Sequence, residues 1–425
     1  MSVCLNVLIN TQIGYMTRGM GVWDKKFFRD FFSSMLSQKT VFLGKLTNNT
    51  DRKMERTADR NKHFLEKDTF SDFPTRIEKR CFSLVWEIQD NDFICMDEVD
   101  IAKPCAEKME WLTSVRDGST GAIVSGYLFH GASIRWVPVI LEREDLGRDT
   151  KNQVWKGMVE RILKYSRWRD GKPRWTFLLD AGYDVASYLD FLEERKCHFI
   201  IRAKRDRIWI DVKTGEKRKL KEFEEWIHEV RLPEREYSLY LEIKKNDKFE
   251  EPMRVMSDAL TPEMCQTYFK RWEIEQVFKT LKQEFDLEKI RAQSLRIIDN
   301  TVAIIQLAVA LSNSVFNERV NMKTWERKEQ KNDFRRTTLF VDMKQFERLF
   351  SQFAWRHGLT MNRNSIITFI SDTLKTSYKY KKKPSKKRGD TNPRDCAQMR
   401  LFTLKDLRKR GGGLSKITLT LPIIR

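Results

Sequence analysis

The sequence predicts an α/β protein: a core of strands and helices, a mainly β insertion before its last functional helix, and helical N- and C-terminal regions. Three observations predict it. Apolar strand runs and helical periodicities alternate between about residues 81 and 204. Half-buried alternating patterns interrupt that rhythm over residues 205–260. Residues 268–285 then carry an apolar stripe at helical spacing beside a row of aligned polar residues.

Residues 1–80 hold mixed helical patterns, such as Phe27, Phe28, Phe31, Phe32 and Leu36, on a background rich in Lys, Arg and Asn. They read as a small helical region, whose plainest role is a cap that completes the core, and no helix-turn-helix pattern stands out. The first part of the core spans residues 81–204. Phe93-Ile-Cys-Met-Asp97 is an apolar run ending in an acid. Gly121 to His130 and Ile134 to Leu141 read as a hairpin turning at Gly131-Ala-Ser. Helical periodicity runs from Val154 to Tyr165, and an apolar strand from Arg174 to Leu179 ends at Asp180. A helix through Tyr188, Leu192 and Glu194 leads to the strand His198–Arg202. Three early strands, a helix, then alternating β and α is the order of an RNase H-like domain.

Within the insertion of residues 205–260, Ile208, Ile210 and Val212 alternate with Trp209 and Asp211, and Tyr237, Leu239, Leu241 and Ile243 alternate similarly. A helix-like stretch from Phe223 to Val230 separates them. Residues 261–325 return to the core, with a second helix from about Leu295 to Val320 that is apolar nearly all round. Residues 326–425 read as helical and basic. Tyr378 to Arg388 has the composition of a solvated linker or arm able to add phosphate contacts, and Gly411 to Gly413 marks a flexible point.

Composition narrows the function. The chain has 425 residues, 80 Lys and Arg against 60 Asp and Glu, and a formal net charge of +20. That excess points to a polyanionic partner, nucleic acid ahead of an anionic membrane surface. Twelve Trp and 27 Phe suit large cores rather than a disordered tail. The seven Cys show no paired spacing and the five His no metal pattern, so reduced thiols in the cytoplasm are expected, without a structural zinc. The apolar run Val302–Leu311 is too short to span a bilayer, there is no signal-peptide pattern, and no membrane partner is expected.

On a regular helix, Tyr268, Arg271, Glu275 and Lys282 fall within about 60° of one another. They lie beside the stripe of Ile274, Val277, Phe278, Leu281 and Phe285. The helix would present an acid, two cations and a phenol along the edge of its buried face; each taken singly would be an ordinary surface charge pair.

The spacing Tyr-x2-Arg-x3-Glu-x6-Lys resembles the signature of one large branch of the DDE transposases of bacterial insertion sequences. The resemblance implies that Glu275 is the third metal-binding acid and that Arg271 and Lys282 contact DNA near the cleaved end. FICMDEVDIAKP is similar to the family's first-acid motif, which implies Asp97 as first ligand with Asp100 in reserve. FLLDAGYD is similar to its second, which implies Asp180. One departure stands out: two positions after the first Asp the family usually has Thr, and this chain has Val99. The resemblance covers roughly residues 90–320 and includes a β insertion at the same point; it further implies an N-terminal region that binds the element's terminal inverted repeats.

Asp97, Asp180 and Glu275 are thus the expected catalytic and metal-binding residues, each taken to end a strand or to face the core edge of a helix. Carboxylates suit Mg²⁺ or Mn²⁺. Two such ions about 3.5–4 Å apart can activate a nucleophile and stabilise the leaving oxygen in displacement at phosphorus. The expected activity is metal-dependent cleavage of element ends followed by strand transfer into target DNA. A homodimer in the synaptic complex and a cytoplasmic, nucleoid-associated location in bacteria follow from the resemblance. Tyr268, Arg271, Lys282, Arg202 and Lys103 are the expected DNA contacts, with Lys204 a further candidate. Trp209 and Trp226 are each expected to pack in the core rather than hold a flipped base. The competing readings are an inactive DNA-binding remnant and an RNase H-like structure-specific nuclease.

Overall fold

A computed structural model describes residues 2–47, 52–86, 93–118, 120–144, 151–166, 168–169, 172–173, 175–233, 235–245, 251–326 and 367–372, all within one unit, Met1–Lys379. Four helices come first: α1 (Ser2–Met16), α2 (Val22–Gln38), α3 (Met54–Glu66) and α4 (Phe73–Trp86). The Phe-rich run that predicted α2 buries Phe27, Phe28, Phe31 and Phe32 completely. Phe27 stacks on Phe64 of α3, and Phe28 meets Phe73 of α4 edge to face.

The sheet begins with β1 (Phe93–Ala102), β2 (Thr113–Arg116), β3 (Ile123–Ile134) and β4 (Val137–Arg143). β3 is 12 residues long, so its first half pairs with β2 and its second half with β4, while β1 runs antiparallel along its other edge. Helix α5 (Lys151–Tyr165) crosses to a two-residue hairpin, β5 (Trp168–Arg169) and β6 (Lys172–Pro173), and then to β7 (Thr176–Leu179), parallel to β1. Helix α6 (Ala186–Glu194) crosses to β8 (His198–Arg202), parallel to β7. The core order β4-β3-β1-β7-β8, an antiparallel meander followed by two parallel strands, is the RNase H-like arrangement.

Residues 205–260 add β9 (Ile208–Asp211), β10 (Lys217–Lys219), β11 (Ile227–Arg231), β12 (Leu239–Lys244) and β13 (Met253–Ser257). They do not form a sheet of their own. β13 pairs antiparallel with β8, Met256 opposite Ile201, and the same sheet continues through β12, β11 and β9 to β10.

Three local expectations are corrected. The hairpin does not turn at Gly131. It turns at Arg135-Trp136, whose φ of 47° and 69° make the two-residue loop between the paired Ile134 and Val137, and Asn313 pins it by donating to the Trp136 carbonyl at 2.6 Å. The helix-like stretch Phe223–Val230 contains strand β11; Phe223, Ile227 and Val230 happen to fall at helical spacing, but Ile227 is exposed and only Val230 packs inward from the strand. Asp97 does not end its strand: β1 runs five residues past it, because β3 keeps pairing there after the short β7 has stopped.

The chain returns through α7 (Met264–Tyr268), a tightened turn over Phe269–Arg271, α8 (Trp272–Lys279) and a widened π-helical turn over Thr280–Glu284. The predicted stripe is buried at Ile274, Val277, Phe278, Leu281 and Phe285. The ring of Phe278 lies where a side chain at Gly131 would project, 2.6 Å from an ideal Cβ. That close approach is why a glycine sits mid-strand. Gly131→Ala should therefore destabilise the fold by about 1–3 kcal/mol through overpacking, read as a lower denaturation midpoint.

Helix α9 (Leu295–Glu326) is the long buried helix. Its segment Leu295–Ser314 is long and apolar enough to cross a membrane, yet 83% of it is buried inside the protein. It bonds the N-terminal helices to the sheet: Asn300 donates to the Leu65 carbonyl at 2.8 Å, Gln306 to that of Pro138 at 3.3 Å, and Arg143 pairs with Asp299 at 3.0 Å. Arg161 of α5 also binds Glu78 of α4 at 3.1 Å. Through these contacts α3 and α4 pack on the core. Of residues 326–425, the stretch 367–372 is helical, and Tyr378–Arg388 and Gly411–Gly413 lie outside the described residues.

Candidate active site

Parallel strands place two acids side by side. Cys95 on β1 pairs with Leu178 on β7, so the register carried two residues further sets Asp97 beside Asp180. Neighbouring strands lie about 4.8 Å apart, within reach of two carboxylates sharing a site. Asp180 leaves β7 and caps the turn Ala181–Tyr183, accepting from the Gly182 amide at 2.7 Å. A Cβ on Gly182 would sit 2.9 Å from that same oxygen, so the Asp-Ala-Gly order gives the carboxylate its room.

The third acid comes from α8. Arg271 joins it to the first: its Nη1 donates to Asp97 Oδ2 at 2.8 Å and its Nη2 donates to Glu275 Oε1. The other Asp97 oxygen accepts from the Glu98 amide at 2.9 Å. Beneath the guanidinium lies the buried ring of Tyr268, 5.7 Å away, whose hydroxyl is pushed up to about 12 by burial. Burial works against the Arg271 charge, but Tyr268, Asp97 and Glu275 outweigh it and hold the proton more firmly than usual.

Asp97 is the perturbed acid. Burial raises its carboxyl to about 6; Arg271 and the Glu98 amide oppose the rise, and the Asp180 and Glu275 charges add to it. Its pKa in the fold thus lies above the ordinary 3.8. A carboxyl raised in this way stabilises the fold in its neutral form, fully below the ordinary value, and that contribution is lost as pH rises through about 6. Asp97→Asn cannot ionise. In metal-free buffer its stability relative to wild type should therefore increase by up to about 3 kcal/mol between about pH 4 and about pH 7. Denaturant titrations at the two pH values test this; a difference that does not change with pH would show that the carboxyl is not raised.

The donor set, three hard carboxylates whose charges repel one another, is of the kind that takes Mg²⁺ or Mn²⁺. Yet among the described residues no group of three His, Cys, Asp or Glu side chains is drawn together so that it could hold an ion. The cation at the centre is Arg271. The residues fit a divalent ion in chemistry, on the condition that the guanidinium leaves at least one of its two carboxylates.

The other expected DNA contacts are placed unequally. Arg202 and Lys204 are exposed at the end of β8, and the Lys204 backbone amide donates to Asp184 at 2.8 Å. Lys282 lies within the π-helical turn that follows α8. The widened turn Thr280–Glu284 turns less per residue than the regular helix assumed for it, and Lys282 reaches Glu288 at 3.0 Å. Lys103 is 8% exposed and donates to the carbonyls of Glu288 and, at 2.8 Å, Ile290. Trp209 is fully buried under Arg207, as expected of a core residue, whereas Trp226 is 74% exposed. Asp100 is partly buried further along β1, opposite Leu128, and Val99 is buried, so a hydroxyl there would face the core.

Sequence reasoning missed Glu288, whose carboxylate holds Lys282 and whose carbonyl holds Lys103; nothing in its surroundings in the sequence marks it. It also missed Asp184, buried against Arg207 and the Lys204 amide, although the motif FLLDAGYD contains it.

The sheet order is that of an RNase H-like fold. Residues 143–311 match the family described as Transposase DDE domain, a segment that includes Asp180 and Glu275 and begins after Asp97. No curated protein matches the chain. Among solved structures, a cryo-EM structure of a piggyBac transposase synaptic complex with hairpin DNA is similar over 85% of this chain and 74% of that one, at 10% identity and a TM-score of 0.40.

Proposed function

We propose that this chain is a DDE transposase of the bacterial insertion-sequence branch marked by Tyr268, Arg271, Glu275 and Lys282. In this reading it cuts the ends of a mobile element and joins them to target DNA at Asp97, Asp180 and Glu275. The observation that carries it is the Arg271 bridge: one guanidinium ties an acid on the central strand to an acid on the packed helix, beside the end of β7 where Asp180 sits. An RNase H-like sheet inside a chain of net charge +20, together with the transposase match over residues 143–311, supports the same reading.

In this function the carboxylates of Asp97, Asp180 and Glu275 hold a divalent ion, which when bound supplies charge stabilisation at the reacting phosphate. Asp97 must be ionised to take part; burial raises its carboxyl to about 6 in the metal-free protein, and an arriving cation favours the charged form. Arg271, freed from one carboxylate, turns its fork to a DNA phosphate, a geometry that guanidinium suits better than ammonium. Tyr268, buried beneath it, fixes the base of that swing. Arg202, exposed at the sheet's end, adds a backbone contact. The active assembly is a homodimer on paired element ends, in the cytoplasm on nucleoid DNA.

The test uses a duplex carrying the terminal inverted repeats, taken from the DNA flanking the reading frame. Metal-dependent nicking at the repeat ends, followed by products joined to a target plasmid, is the expected result. Nicking without joining would make it a structure-specific nuclease, and binding without nicking in either metal an inactive remnant.

A further inference from the structure

A cavity of about 750 Å³ opens where the end of β1 meets the segment after the Glu275 helix. Its walls come from residues 102–109, from Glu288 and residues 290–293 and, across the gap, from Lys62 on α3. Four cations line it, Lys62, Lys103, Lys108 and Arg291, against two acids, Glu107 and Glu288. Glu288 is already neutralised by Lys282 at 3.0 Å.

Two features separate this cavity from an ordinary basic surface. Lys62, Lys108 and Arg291 are exposed and have no ion-pair partner among the described residues, whereas Arg60 and Lys67 beside Lys62 on the sequence pair with Asp30 and Asp24. At the back, Lys103 is held by two carbonyls, which use two of the three donors of an ammonium. Burial and the neighbouring Arg291 both disfavour the Lys103 charge, which Glu288 only partly offsets, so its pKa falls to about 8. An anion in the cavity would relieve all four cations at once.

We propose that this cavity is a second DNA site, which grips the phosphate backbone of the strand on one side of the cut. The proposal rests on the transposase reading. Lys103, one residue past the end of β1, lies six residues from Asp97, about 20 Å at the rise of a strand. DNA advances about 3.4 Å per nucleotide along each strand, so the gripped phosphates lie about six nucleotides from the one at the acids. The grip spans α3 and the core, so the N-terminal helices add to the DNA surface through Lys62 while packing as a cap.

The full chain is titrated with a fluorescein-labelled duplex over a range of salt, as wild type and as the triple variant Lys62→Ala, Lys108→Ala, Arg291→Ala. All three side chains are exposed, so the fold should survive, and a thermal melt of the variant checks it. The slope of log affinity against log salt should become shallower by about 2.7, near 0.9 for each lost phosphate contact. Cys105, an exposed thiol in the wall, gives a second reading independent of folding. Duplex should protect it from N-ethylmaleimide in the wild type and much less in the variant, measured by peptide mass spectrometry. An unchanged slope, or Cys105 equally reactive with and without duplex, overturns the cavity site while leaving the transposase reading standing. A wild type that binds no duplex overturns both.

Discussion

Glu275→Gln abolishes metal-dependent cleavage of element ends and leaves DNA binding close to wild type. The amide keeps the side chain's length and one oxygen, so Arg271 can still donate to it and α8 keeps its packing through Ile274, Val277 and Phe278. It removes the charge that a hard cation needs. A metal ion contributes several kcal/mol of charge stabilisation in such reactions. Losing about 4 kcal/mol slows the chemical step about a thousandfold. Asp97→Asn should do the same. Single-turnover cleavage in Mg²⁺ and in Mn²⁺, beside anisotropy with the same duplex, separates chemistry from binding. Cleavage at the wild-type rate would remove Glu275 from the site, and loss of binding along with cleavage would give the residue a structural role instead.

Much of this site is legible in the sequence because its parts are short and local. Thr-Phe-Leu-Leu before Asp180 is a four-residue strand that stops at the acid, and Gly182 two positions on is the mark of a carboxylate tucked against its own backbone. The α8 stripe needs only helical periodicity to be seen. What stays hidden depends on pairing between distant segments. Nothing local reveals that β1 continues past Asp97, since its partner β3 lies about thirty residues on. The sheet's extension through β13 is likewise invisible, because Met256 finds Ile201 only in the fold. Arg135-Trp136 turns the hairpin with neither Gly nor Asn to announce it, and the turn is held from outside by Asn313. Lys282 illustrates a subtler limit: one widened turn stands where a regular helix was assumed, and the side chain pairs with Glu288. Geometry assumed from ideal periodicity fails at the first irregular turn.

Arg271→Ala should raise the affinity of the free protein for Mn²⁺ while weakening its grip on DNA. In the structure the guanidinium neutralises Asp97 and Glu275 together, so an entering ion must displace a charge-assisted pair worth about 1.5–3 kcal/mol. Removing the arginine removes that competitor, and the bare carboxylates, with Asp180 beside them, repel one another until a cation arrives. Metal affinity without DNA should therefore rise roughly tenfold or more. On DNA the same variant loses one phosphate contact, and its salt slope should shrink by about 0.9. Calorimetric titration of Mn²⁺ into DNA-free protein reads the first effect and anisotropy across salt the second. Unchanged metal affinity would mean that the ion and the guanidinium occupy different places. Weaker metal binding would mean that Arg271 props the two carboxylates into position rather than guarding them. An unchanged salt slope would leave Arg271 as the structural partner of Asp97 and Glu275 alone. Only the combination of tighter metal and looser DNA fits an arginine that guards the acids until a phosphate draws it away.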